Sequence, residues 1–217
     1  MKLLAITHRL PCPPHKGEKI RAVNVLKFLA TRHEVHLVSL VGDDNDLQYV
    51  DQLHSHTRSV TVQRVRPRLR KAPAMSAVVN DAPVKSRHFS ALRRRVDALI
   101  EREEVAGVVS SSTATSTATA EYIFRSRHAV RLWDFPKVMD MIDGDSVKWR
   151  HCAEVSHAGS ARLYRREARC FAAFEREIGQ QFDRNFVISE TEQTCCDFAL
   201  GDCATAVCNG VDLGYFC

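Results

Sequence analysis

Reactive side chains in this sequence stand at the ends of short apolar runs. His8 and Arg9 close the first of these, Ser110 to Ser112 follow VAGVV, Asp143 and Asp145 follow KVMDMI, and Ser189 and Glu190 follow RNFVI. Carboxylates such as Asp143 and Asp145 can act as a general base, orient a hydroxyl or hold a metal ion. Asp followed by Ser also opens many helices, so capping is an equal reading of Asp145. Lys148 and Arg150, just beyond, can neutralise these carboxylates or bind phosphate.

A second group of charges surrounds Gly17. Lys16, Lys19 and Arg21 fall at or inside the first turn of an expected helix, where the backbone dipole makes each cation unfavourable by roughly 0.3–1 kcal/mol. An anion docked on the free backbone N–H groups reverses that sign and turns the position into a binding site. Long side chains splayed into water are the competing reading. Pro11, Pro13 and Pro14 cannot continue a strand and Gly17 can take a positive φ, so a sharp turn is expected just before the helix. Neither G-x-G-x-x-G nor G-x-x-x-x-G-K-[ST] occurs, and a nucleophile elbow is also missing, so dinucleotide, P-loop and serine-hydrolase readings lack support.

The elements that must carry these residues alternate regularly. Residues 1–8 read as a buried strand. Ala22, Val25, Leu26 and Leu29 give helical spacing over residues 20–31, and residues 34–41 form a second strand. Helical spacing returns at 46–56, strand alternation at 59–65, helix at 90–104 and strand at 105–110. Residues 66–90 hold three prolines and read as a loop with one short helix near 74–79. The small hydroxyl-rich stretch 110–120 suits a tight strand-to-helix junction or a loosely constrained loop. Strands at 137–142, 184–189 and 204–208 and helices at 160–182 and 190–200 complete the chain. Seven strands with intervening helices predict an α/β fold, a doubly wound parallel sheet covered on both faces. In such a sheet ligands gather beyond the carboxyl ends of the strands, which is where the reactive residues stand.

Composition narrows the class further. The 217 residues carry a formal net charge of +5, are 45% hydrophobic and 26% charged, and contain no apolar run long enough to span a bilayer. The first apolar run ends at Thr7-His8-Arg9, too short for a secretory signal, so a cytoplasmic chain with reduced thiols is expected. Cys195, Cys196, Cys203, Cys208 and Cys217 crowd the last segment without paired C-x-x-C spacing. Cys195, Cys196 and Cys208 read as fillers of small apolar positions on a helix and a strand, and no metal site is expected. Arginine-rich runs at 64–71, 93–95 and 162–169 suit anionic lipid headgroups or a phosphorylated substrate. Nucleic acid is not expected, because no reading motif accompanies the charge.

Several motifs together resemble a known family. HRLPCPPHKGEKIRA from His8, HEVHLVSLV from His33, DGDSVKW from Asp143, YRREAR from Tyr164, Ser189-Glu190, and Asn209-Gly210-Val211-Asp212 look like the N-terminal half of retaining family 4 glycosyltransferases. More narrowly, they resemble the sugar transferases associated with PEP-CTERM sorting and exopolysaccharide clusters. Departures stand at Cys12, Glu18, Val147 and Cys208, where an aromatic residue, glycine, glutamate and proline are usual.

The resemblance implies a GT-B arrangement of two Rossmann-like domains, with residues 1–208 as the acceptor-side domain and 209–217 opening the interdomain linker through Asn209, Gly210 and Asp212. It also implies a hexosyltransferase-type enzyme using a nucleotide-sugar as substrate, without a separate cofactor, and a glycan or lipid-linked acceptor. Lys16 and Gly17 would form the donor-phosphate loop. Asp143, with Asp145, would be the catalytic carboxylates, and His8, Arg9, Lys19, Arg21 and Lys148 would serve the acceptor. Retention is ascribed to front-face attack with the donor phosphate taking the acceptor proton, so no protein nucleophile is required. The expected chain is half an enzyme, inactive alone and peripheral on the inner face of a membrane. A split transferase with its donor domain on a separate chain remains open, as does a non-catalytic module that binds phosphorylated glycan or anionic lipid.

Overall fold

The computed structural model describes residues 1–64, 90–111, 135–200 and 204–210. The expected loop at 66–90 up to residue 89, Ser112 with the stretch to 120, Cys203, Asp212 and Cys217 lie outside the described residues.

Apolar runs rich in Val, Ile and Leu form seven strands among the described residues: β1 (Lys2–Thr7), β2 (Glu34–Val41), β3 (Ser59–Arg64), β4 (Val105–Ser111), β5 (Lys137–Ile142), β6 (Arg184–Val187) and β7 (Ala204–Ala206). They make one sheet in the order β3-β2-β1-β4-β5-β6-β7, every pair parallel. The fold is the doubly wound, Rossmann-like α/β fold that the sequence predicts. The helices are α1 (Gly17–Ala30), α2 (Val50–Leu53), α3 (Ser90–Arg102), α4 (Asp145–Glu154), α5 (Ala158–Gly179) and α6 (Glu190–Leu200), with a 3-10 turn at Asp44–Tyr49.

Period-2 alternation sends neighbouring residues of each strand to opposite faces, and each face has its own core. On one face Leu4, Ile6, Val38 and Leu40 pack with Val96, Leu99 and Ile100 of α3. On the other, Ala5, Leu37 and Val41 pack with Val23 and Leu26 of α1 and with Leu53 of α2. Each fully buried Leu or Ile contributes about 1.5–3 kcal/mol. Such two-sided burial explains why β1 and β2 read as nearly continuous apolar runs.

Three expectations are corrected. Helix α1 starts at Gly17 rather than residue 20, and Gly17 does not adopt a left-handed φ. The chain enters the helix through an extended Lys16, φ −136°. Residues 46–56 hold only a short α-helical turn behind the 3-10 segment, because the Asp43 carboxylate accepts from Asn45 N–H and starts a tighter turn early. Helix α4 lies where the apolar spacing predicts no helix, although Asp145-Ser146 also reads as a helix opening. Its apolar periodicity is weak, and tertiary packing holds it: Trp149 sits 5.4 Å from the Tyr164 ring and 6.5 Å from that of Phe171, both on α5.

Candidate functional site

Strand order reverses direction between β1 and β4, so the connections leaving these neighbours diverge and open a crevice at their carboxyl ends. A register row crosses the sheet there: Ser39, Thr7, Ser111, Asp140, Phe186 and Thr205 are successive in-register partners. The row is polar at its centre. Thr7 Oγ1 donates to Ser39 Oγ at 2.8 Å, and Asp140, the one charged residue in the interior of β5, is 2% exposed.

That carboxylate is met by Arg21 from α1. Nε donates to both oxygens of Asp140 at 2.8 Å, and a terminal nitrogen stands 2.7 Å from Oδ1. The other terminal nitrogen donates to the Val207 carbonyl at 2.6 Å and to Asn209 Oδ1 at 3.0 Å. One buried guanidinium therefore joins α1, the end of β5 and the segment after β7. Burial outweighs the guanidinium and pushes the Asp140 carboxyl above its ordinary value.

The end of β5 is irregular. Asp140 pairs with Phe186 but Ile142 with Val187, which leaves Met141 as an extra residue, and Ile142 adopts φ 63°. A β-branched residue in the left-handed region is strained by about 1–3 kcal/mol. The bulge turns the chain so that Asp143 is exposed while Gly144, Asp145 and Ser146 are buried. Gly144 N–H donates to Glu192 Oε2 at 3.2 Å and Ser146 N–H to Glu175 Oε1 at 3.1 Å. Gly144, not Asp145, occupies the N-cap of α4. Glu175 comes from α5, is 1% exposed, and has its acid pushed up to about 7 by desolvation, which outweighs the Ser146 hydrogen bond, with the neighbouring Asp145 charge adding to the rise.

The remaining expected site residues divide between surface and interior. Lys16, Gly17, Arg9, Asp143 and Lys148 are exposed and His8 is half-buried. Arg9 pairs with Glu18 at 3.0 Å. A Cβ added at Gly17 would meet nothing within 4 Å, so open space lies beside the start of α1. Lys19 and Arg21 are buried, and Lys19 Nζ pairs with Asp46 at 2.9 Å. Their charges are directed inward, onto Asp46 and Asp140, rather than splayed into water. Asn209 and Gly210 are exposed after β7. Ser189 Oγ accepts from Glu192 N–H at 3.1 Å and caps α6. Cys195 packs against the core, whereas Cys208 is exposed and fills no apolar position.

Sequence reasoning passed over Asp140 and Glu175. The signals were present: a carboxylate flanked by methionines within KVMDMI, and a glutamate in phase with the buried Ala161, Ala168 and Phe171 of α5.

No family model matches the sequence, and neither does any curated protein. Solved structures do resemble it. UGT71G1 of Medicago truncatula complexed with UDP-glucose aligns over 98% of this chain and 52% of its own, with TM-score 0.55 and 13% identity. A UDP-glucosyltransferase from Polygonum tinctorium capable of glucosylating indoxyl aligns over 95% and 51%, with TM-score 0.54 and 11% identity. UGT2 of Phytolacca americana, complexed with UDP-2-fluoro-glucose and pterostilbene, aligns over 86% and 47%, with TM-score 0.51 and 12% identity. The chain spans about half the length of these structures. At such identities the likeness shows the fold, a Rossmann-like α/β domain of the kind found in GT-B glycosyltransferases.

Proposed function

We propose that this chain is the acceptor-side N-terminal domain of a retaining, family 4-like glycosyltransferase in polysaccharide or glycolipid assembly. Residues 1–208 form the domain and 209–217 lead toward a donor domain, on the same or a separate polypeptide. The observation that carries the reading is the Arg21 junction, which gathers the helix that Gly17 opens, the end of β5 and Asn209 at one end of the sheet. Strands β1 and β5 are separated only by β4, so the turns after them lie about 10 Å apart across the sheet. A phosphosugar can reach from one to the other.

On this reading Lys16 and the open backbone at Gly17 face the donor phosphates. Asp143, exposed beside the strained Ile142, faces the reacting hydroxyl. His8, Arg9 and Lys148 flank the acceptor. Asp145, Lys19 and Arg21 act from inside as positioning residues, fixing the turns on which the exposed groups stand. Among the described residues no helix is long and apolar enough to cross a membrane, and the exposed Arg162, Arg165 and Arg169 on one side of α5 suit peripheral contact with anionic lipid.

The test mixes the purified chain with radiolabelled UDP-glucose and a lipid-phosphate acceptor in vesicles. The expected result is no transfer and no hydrolysis, together with vesicle binding that weakens in the Lys16→Ala/Lys148→Ala variant. Turnover by the isolated chain, or binding indifferent to both substitutions, overturns the reading.

A further inference from the structure

At the opposite end of the sheet, the amino ends of the strands, a second constellation has no part in the proposed transfer. Glu34 and His36 stand two apart on β2 and so project to one face, the face that α3 covers. Glu103 follows the last turn of α3 and arrives at the same place. One ligand atom from each of the three lies within 4.8 Å of the other two. His36 Nε2 is 3.4 Å from Glu34 Oε1 and 3.9 Å from Glu103 Oε2.

The imidazole is the informative member. His36 is 1% exposed, yet its Nε2 has no hydrogen-bond partner among the described residues. The other ring nitrogen, Nδ1, is 2.8 Å from the hydroxyl of Ser59, its in-register neighbour on β3. When Nδ1–H donates to that hydroxyl, the Nε2 lone pair faces the two carboxylates, and three acceptors converge, with the Lys2 and Arg58 side chains reaching the glutamates from outside. A hydrogen bond on the far ring nitrogen is also the arrangement that fixes a histidine ligand's orientation in metal sites.

We propose that Glu34, His36 and Glu103 form a divalent-cation site of the zinc class, independent of the reaction at the other rim. One imidazole nitrogen and two carboxylate oxygens suit Zn²⁺, whereas Mg²⁺ prefers an all-oxygen octahedron. Bonds of about 2.0–2.2 Å in tetrahedral geometry hold ligand atoms roughly 3.4 Å apart, so the partly exposed glutamates need close by only about 1 Å. Lys2 Nζ sits 2.9 Å from Glu103 Oε2 and Arg58 Nε 3.9 Å from Glu34 Oε1. These are partly exposed ion pairs that a dication readily displaces. Bound zinc would tie β2 to the junction of α3 and β4 and raise stability by mass action.

The experiment titrates ZnCl₂ into the chelator-treated full chain, its cysteines alkylated so that thiolates do not compete, and follows it by calorimetry and thermal melting. One zinc per chain and a rise in Tm are expected, with MgCl₂ giving neither. Both effects should vanish in His36→Gln. They should vanish equally in Glu34→Gln/Glu103→Gln, whose half-exposed positions leave the core intact, and Lys2→Met should tighten binding severalfold. Cobalt in place of zinc should show no thiolate charge-transfer absorption. Absence of stoichiometric zinc binding, or an unchanged zinc response in the double glutamine variant, overturns the proposal.

Discussion

Glu175 makes the chemistry of a single residue visible in the stability of the whole. Its acid sits near pH 7 in the folded chain against an ordinary value of 4.5, so between those limits the folded state holds a proton that the unfolded state releases. Stability therefore falls as pH rises through that window and levels off above it. The total is about 3 kcal/mol at 1.36 kcal/mol per unit. Glu175→Gln keeps an oxygen for Ser146 N–H and removes the titration. Its Tm should match the parent at pH 5 and exceed it by on the order of 5–10 °C at pH 8, read by calorimetry at both values. Asp143, by contrast, is exposed, and Asp143→Asn should leave the unfolding free energy, read from urea melts, within about 0.5 kcal/mol of the parent.

Elements determine whether such residues can meet, and α1 has the largest share in that. Its Arg21 is buried against Asp140, and truncation to Ala leaves a carboxylate without its cation. Arg21→Ala should cost about 3–5 kcal/mol, with Arg21→Met/Asp140→Leu recovering much of it; urea melts of the three chains measure this. Gly17→Ala should behave oppositely, leaving Tm unchanged or slightly higher because Gly17 is already helical and its Cβ meets nothing. The order of strands and helices was legible in the sequence because apolar runs of period 2 and 3.6 alternate along it, and β2 and β5 match their expected limits. Helix α4 was not, because its position depends on Trp149 packing against rings about fifteen to twenty-two residues away in sequence. The candidate site was legible as a set of strand ends. What periodicity could not tell was that Lys19 and Arg21 turn inward, since a helix's charged residues look alike until their partners, Asp46 and Asp140, arrive from distant segments.

For the molecule as a whole, the distribution of charge decides what it can approach. Arg162, Arg165 and Arg169 recur at helical spacing on the exposed side of α5, while Arg166 beside them is spent on Glu167 at 2.7 Å. Three exposed guanidinium groups near an anionic surface are worth about 1 kcal/mol each. Arg162→Ala/Arg165→Ala/Arg169→Ala should therefore lower the partition onto phosphatidylglycerol vesicles by about a hundredfold, without changing the far-ultraviolet circular dichroism. The same arithmetic requires salt sensitivity, because screening at 1 M ionic strength shortens the reach of charge to about 3 Å. Vesicle binding by the parent should collapse between about 0.1 and 1 M salt, measured by co-sedimentation. Binding that persists at high salt would mean that the exposed Phe28 and Ile20 of α1, rather than the arginines of α5, make the contact, and that the domain meets the membrane by its rim.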